Sequence, residues 1–279
     1  MNLLQNIPAM TTAEHAALEE KTGARVRFSG GIWWQEVRPF FYRPVHLFLK
    51  VEPKTARPPA GSVLGGYQHL AAGEENANSR MNFVVADNPR EYSISSLGSK
   101  YRTAVRKAAR YLDAKRIDDL QEFIDAGHPI YLEFYARTQY WWKNERVNRE
   151  AFTAWAEILV ENPKVLVFGI YHEGILCCVN VVYKVEEVVY YSSSFSNAEG
   201  IRLSAPEYSL HLVREFTAGC AGAGCIFLGT AGSKRSLDDF KIRRGCRIAS
   251  EPAYYRINPI ALLLISAFKP QYASRLRGF

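Results

Sequence analysis

Val165-Leu-Val-Phe-Gly-Ile-Tyr171, His172-Glu173-Gly174 and Ile175-Leu-Cys-Cys-Val-Asn-Val-Val-Tyr183 are the residues whose reading decides the fold. Two β-branched and aromatic runs flank a turn that ends in glycine, which is the pattern of a β-hairpin. Glu186-Glu187 turns the chain again into Val188-Val-Tyr-Tyr-Ser-Ser-Ser194, so three antiparallel strands form a meander. A loop over 196–203 leads to Ser204-Ala-Pro206-Glu207. Ser at the cap, Glu three residues later and Pro in the first turn predict a helix start there, with a capping box between Ser204 and Glu207. Leu210, Val213 and Phe216 continue that helix to Gly219, and Cys225-Ile-Phe-Leu-Gly229 reads as a short buried strand. A basic segment, a strand over 253–257 and a last helix from Asn258-Pro259 follow.

Upstream, Tyr101, Val105, Ala108 and Leu112 recur at helical spacing, with Arg102, Arg106 and Arg110 as a second stripe and Lys107 beside them. A long helical region is expected over 117–160, interrupted at Gly127-His128-Pro129. Before residue 97 the chain has another character. Thr11-Thr12-Ala13-Glu14 is a capping-box pattern opening a helix that Gly23 closes. Residues 25–51 read as two or three strands, 52–65 and 71–80 as loops, and 81–86 as a strand. The whole predicts an α+β fold, helices packed on a mixed, mostly antiparallel sheet.

Composition bounds the function. The chain has 279 residues, 48% hydrophobic and 23% charged, which excludes disordered and collagen-like classes. Its longest apolar stretch, 260–265, is far short of the roughly 20 residues of a membrane span, so no membrane span is expected. The first residues lack a charged region and a full apolar run, so no signal peptide is expected. Five cysteines without a C-x-x-C spacing read as reduced core thiols of a cytoplasmic protein, and no metal site is expected. A net charge of +7 favours anionic partners such as nucleic acid or a phosphate-bearing substrate.

No G-x-S-x-G, H-E-x-x-H, phosphate-loop or complete G-x-G-x-x-G motif occurs, and the six histidines are scattered. The positive signal is an ordered set: the meander, the helix over 204–218, the strand ending at Gly229, and Asp239-Phe240-Lys241-Ile-Arg-Arg244-Gly245. That set resembles the C-terminal GNAT-type domain of FemAB-like acyltransferases, which include the Fem-type aminoacyl-tRNA-dependent aminoacyltransferases. Tyr190-Tyr191-Ser192-Ser193-Ser194 matches a strand ending in Tyr and small residues, and Ser204-Ala-Pro-Glu-Tyr208-Ser-Leu matches the serine/proline helix entry. Phe240-Lys241-x-x-x-Gly245 matches F-K-x-x-[aromatic]-G, and Tyr101-Arg102-Thr-Ala-Val-Arg106-Lys107-Ala resembles the basic helix of the second half. The resemblance covers roughly 97–250. It departs at Arg244, where the family has an aromatic, and before Gly229, where the family has Asp-x-Gly and this chain has Phe227-Leu228-Gly229.

The resemblance implies a GNAT-like sheet with a reduced N-terminal GNAT-like half over 1–96 and a C-terminal acyltransferase domain over 97–279. It also implies amide formation by transfer of an aminoacyl group from aminoacyl-tRNA to the primary amine of a small acceptor. Such a reaction starts from an activated carbonyl and needs placement and oxyanion stabilisation, without a covalent nucleophile or a bound cofactor. The catalytic candidate is Lys241, whose ammonium would stabilise the oxyanion or the leaving 3′ oxygen; the plainer reading is a surface lysine in a basic run. Phe240, Tyr191, Ser193, Tyr208 and Gly229 would line the acyl site, or serve as ordinary core and strand residues. Arg102, Arg106, Lys107 and Arg244 would hold phosphates, or form a solvated basic face. Glu207 reads as a capping residue before it reads as a base. The segment Asn197-Ala-Glu-Gly200-Ile-Arg202-Leu-Ser204 lacks the [RQ]-x-x-G-x-[GA] pattern that holds the pyrophosphate of coenzyme A, so tRNA is favoured as donor over acyl-CoA. A catalytically silent RNA-binding or scaffold protein of the same fold stays open.

Overall fold

A computed structural model of the chain describes residues 3, 7–139, 143–232 and 235–268. Lys234, part of the expected basic segment, lies outside the described residues. Contacts divide the chain into two compact units, one of Met10–Val84, Thr230–Asp238 and Ile248–Phe279, and a larger one of Met1–Ala9, Val85–Gly229 and Asp239–Arg247.

The smaller unit opens with α1 (Thr12–Lys21), where the capping box forms in full: the Thr11 side chain accepts from Glu14 N–H and the Glu14 carboxylate accepts from Thr11 N–H. Gly23 follows at φ +91°, as a helix terminator should. Strands β1 (Val26–Ser29) and β2 (Ile32–Arg38) form a hairpin through Gly30-Gly31, both at positive φ. Strands β3 (Phe41–Pro44), β4 (Lys50–Val51), β5 (Gly66–Ala71) and β6 (Ser79–Asp87) follow, the last three residues of β6 belonging to the larger unit. β5 falls on residues that the sequence left without an element. Trp34, Tyr42, Val51, Ala56 and Tyr67 form one cluster of this unit's core.

In the larger unit, α2 (Ser99–Ala108) buries Val105 and Ala108. It stops short of Leu112, because β7 (Leu112–Arg116) pairs antiparallel with β8 (Val165–His172). Long-range pairing has overridden a helical periodicity. α3 (Leu120–Glu122) widens into a π turn over Phe123–Gly127 and runs on into α4 (His128–Thr138). The interruption expected at 127–129 falls where the π turn gives way to α4, with Pro129 in the first turn of α4, where its missing N–H is harmless. α5 is Arg149–Val160. The meander is as read: β8, β9 (Ile175–Val185) and β10 (Val188–Ser196) are antiparallel neighbours, joined first by Glu173-Gly174 at positive φ.

After the five-residue α6 (Ala198–Arg202) come α7 (Ala205–Ala218) and β11 (Cys225–Thr230), which pairs parallel with β10. The order β11-β10-β9-β8-β7 gives this unit a mixed sheet. One face carries Phe195 against Tyr131, Phe152 and Trp155 of α4 and α5. The other carries Phe168 against Phe216 of α7. Phe152 and Phe168 are fully buried, each contributing about 1.5–3 kcal/mol by leaving water. α8 (Arg235–Ile242) occupies the basic segment, where no helix was expected; from Asp239 it belongs to the larger unit. The chain then returns to the smaller unit with β12 (Arg247–Ile257), antiparallel to β5, and α9 (Pro259–Phe268).

The five cysteines form no disulfide. Among the described residues no helix is long and apolar enough to cross a membrane, and no cluster of three or more metal-ligating side chains occurs.

Candidate active site

β10 and β11 pair only through Val188↔Cys225, Val189↔Ile226 and Tyr190↔Phe227, although β10 runs on to Ser196 and β11 to Thr230. Beyond Tyr190 the two parallel strands therefore part into a fork. The divergence coincides with a bulge: the register of β10 against β9 slips between Tyr191 and Ser193, leaving Ser192 unpaired. A bulge bends its strand and increases local twist, which is what turns β10 away from β11.

The β10 arm is tied from beneath by Asn180, a fully buried residue of β9. Its Oδ1 accepts from the Tyr191 hydroxyl at 2.7 Å and from the Ser194 hydroxyl at 2.9 Å, and its Nδ2 donates to Ser209 Oγ of α7 at 3.1 Å. Cys178 Sγ lies 3.6 Å from the same Ser209 Oγ. Burial pushes both the Tyr191 phenol and the Cys178 thiol up, so both stay neutral and act through hydrogen bonds alone. Sequence reasoning missed Asn180. The only signal was one amide in an otherwise apolar strand. Ser193 is half-buried and pairs with Val181.

The β11 arm ends at Gly229, whose φ of +119° is open to glycine and strained for other residues. Lys241 of α8 reaches this point, its Nζ donating to Leu228 O at 2.5 Å and lying 3.6 Å from where a Gly229 Cβ would be. The structure thus brings Lys241 and Gly229 together at the mouth of the fork.

Two arginines hold α8 in place. Arg214, buried within α7, donates to the carbonyls of Arg244 at 2.7 Å and Gly245 at 2.5 Å. Gly245 sits at φ +81° with Arg214 Nη1 only 3.1 Å from a would-be Cβ, which accounts for the motif's glycine twice over. Arg244 stands where the resembled family has an aromatic, and its guanidinium behaves as one, 3.4 Å from the Phe240 centroid and 4.6 Å from that of Tyr101. It also pairs with Glu207. Glu207 is therefore not a capping residue, and Ser204, at φ +63°, makes no side-chain cap. The chain turns directly from α6 into α7 there, and the left-handed residue cannot aim its hydroxyl at the helix.

The remaining predicted residues sit on α7 and α2. Tyr208 rests against His211, ring centroids 6.3 Å apart, beside a recess lined by Tyr92, Tyr101, Glu207, His211 and Arg244. That recess is about 10 Å³, room for roughly one water molecule. Within it Tyr92 Oη and His211 Nδ1 are 2.9 Å apart, and burial lowers the His211 pKa while pushing Tyr92 up to about 12. Arg106 and Lys107 are exposed on α2, and Arg102 is half-buried with Nη1 on Ser95 O at 3.3 Å.

No family model and no curated protein matches this chain. Solved structures do. FemX superposes over 94% of this chain and 99% of its own, with a TM-score of 0.62 at 10% identity. The fold is FemAB-like. The C-terminal domain of a protein described as a lysylphosphatidylglycerol synthetase, from Agrobacterium fabrum, covers 91% of this chain and 97% of its own, with a TM-score of 0.58 at 11% identity. L-PGS from Bacillus licheniformis covers 95% and 97%, with a TM-score of 0.53 at 11% identity. At such identities the likeness speaks for the fold alone and leaves the chemistry to the residues of the fork.

Proposed function

We propose that this chain is an N-acyltransferase that moves an aminoacyl group from aminoacyl-tRNA onto the primary amine of a small acceptor. The observation that carries the reading is the fork itself: two parallel strands that part at a bulge, with a lysine fixed on the carbonyl of one arm. The donor ester carbonyl enters between the arms beyond Tyr190, and the neutral amine attacks it. A C–N bond forms as the carbonyl becomes a tetrahedral oxyanion; collapse then breaks the ester C–O bond, and the 3′ oxygen leaves with the proton lost by the amine. The Lys241 ammonium, held in position by Leu228 O before any donor arrives, stabilises the oxyanion or the departing oxygen. Burial keeps the Tyr191 phenol neutral, so it orients and does not exchange protons. No cofactor is required, because the ester is already activated.

The choice of donor is supported by the segment between β10 and α7. It is a short helix whose Asn197 side chain accepts from Gly200 N–H at 2.8 Å, and Gly200 packs against the Cys177 carbonyl. A backbone amide that a pyrophosphate would need is thus already used. The exposed Arg106 and Lys107 offer charge to an RNA backbone. Calorimetry of the full chain against bulk aminoacyl-tRNA and against acetyl-CoA tests the reading. Binding of tRNA with a steep salt dependence, and not of acetyl-CoA, is expected. Binding of acetyl-CoA alone overturns the donor assignment, and binding of neither favours a silent scaffold.

A further inference from the structure

The smaller unit carries an apolar surface that the acyl-transfer reading does not use. α9, Pro259-Ile-Ala-Leu-Leu-Leu-Ile-Ser-Ala-Phe268, has no charged residue. Its Ile260, Leu263 and Phe268 are 71%, 70% and 80% exposed, and with exposed Ala267 they fall at i, i+3, i+7 and i+8. That spacing is one helix face, here turned to solvent. Asn258 joins this face to a second apolar element. Its Oδ1 caps α9 by accepting from Ile260 N–H at 2.9 Å, while its Nδ2 donates to Val63 O at 3.0 Å and its N–H to Gly65 O at 2.9 Å. Val63 and Leu64, 73% and 60% exposed, are thereby held beside the start of α9. A contiguous apolar patch of this kind marks an interaction surface.

Charge identifies the occupant. From Asn258 to Phe279 the sequence has no Asp or Glu, while Lys269, Arg275 and Arg277 follow the helix, with Tyr272 and Phe279 among them. Apolar residues next to cations and aromatics are the composition of a segment that lies in the interface of an anionic bilayer. At about 1.5 Å per residue the ten-residue helix is far too short to span one. We propose that the α9 face, with Val63 and Leu64, docks on an anionic lipid surface and holds the protein there peripherally. The proposal stands independently of the chemistry at the fork.

Co-sedimentation of the full chain with phosphatidylcholine vesicles, and with vesicles containing phosphatidylglycerol, tests it. Binding to the anionic vesicles is expected, weakened by added salt and lowered roughly tenfold or more by K269Q/R275Q/R277Q. I260E/L263E should abolish binding while the melting temperature of the protein, followed by circular dichroism, is kept. If I260E/L263E does not fold, the triple neutralised variant and the salt series still decide. Absence of vesicle binding overturns the proposal, as does equal binding to both vesicle types or binding indifferent to these substitutions. A wild-type dimer that I260E/L263E dissociates, without vesicle binding, assigns the face to a second copy of the chain and overturns it too.

Discussion

On the β10 arm of the fork a buried asparagine gathers four side chains, whereas the β11 arm ends in one glycine and one lysine. Asn180 collects Tyr191, Ser194, Ser209 and Cys178 into a polar knot inside the sheet. Every member of such a knot is costly to orphan, so the shape of this arm is bound up with the stability of the unit. At Gly229 the strand depends on a backbone conformation, and Lys241 is delivered by a separate helix that Arg214 clamps. Under the proposed function, the contrast puts the acyl-transfer chemistry at Lys241, a side chain that can be altered at little cost to folding. Removing the Lys241 side chain should abolish turnover and leave stability, while removing Asn180 from the β10 knot should cost both.

The largest expected effect is at Lys241. Lys241→Ala should lower the rate of acyl transfer by roughly 10²–10³-fold, the usual loss for one oxyanion donor, with the melting temperature nearly unchanged. A comparable loss of stability would erase the distinction between the arms. Asn180→Leu comes next. It leaves buried hydroxyls of Tyr191 and Ser209 without their partner, and should destabilise by about 2–4 kcal/mol in urea titration. By moving the arm it should also lower kcat roughly tenfold or more, whereas a purely structural role would leave the kcat of the folded fraction intact. Tyr191→Phe, which removes one hydrogen bond, sharpens this with a loss of about 1 kcal/mol. Gly229→Ala should cost about 1–3 kcal/mol of backbone strain without a clash, since the nearest atom to the new Cβ is Lys241 Nζ at 3.6 Å. A large stability loss there would place the β11 arm in the same class as the knot.

The smallest effect is on pH. Burial depresses the pKa of His211, and of His69 in the smaller unit, which is fully buried with Nε2 unpartnered. A depressed histidine binds its proton more readily when unfolded. The stability of the neutral forms is therefore complete above the ordinary pKa of about 6.5 and is lost as pH falls below it. The slope is at most about 1.4 kcal/mol per pH unit for each group, and His69→Phe should flatten it in thermal melts between pH 7 and pH 5, a window set by the same reference value.

Local signals made much of this legible. Glu173-Gly174 fixed a turn, Thr11 and Glu14 fixed a cap, and Phe240-Lys241-x-x-x-Gly245 led to the lysine that the fold brings to Gly229. Signals that depend on distant partners were not legible. Leu112 continues a helical stripe and yet belongs to a strand, because β8 offers it an edge. Glu207 satisfies a capping rule three residues from Ser204, but its partner is Arg244, 37 residues away. Asn180 meets its partners 11, 14 and 29 residues along the chain, so nothing beside it in the sequence announces the knot.

The most direct test of the fork as the acyl site is a crystal structure with a hydrolysis-resistant 3′-amide analogue of the aminoacylated tRNA terminus. The account predicts the acyl carbonyl between β10 beyond Tyr190 and β11 at Gly229, with Lys241 Nζ turned toward it. An analogue seated elsewhere, for instance against Tyr92 and His211, would contradict it.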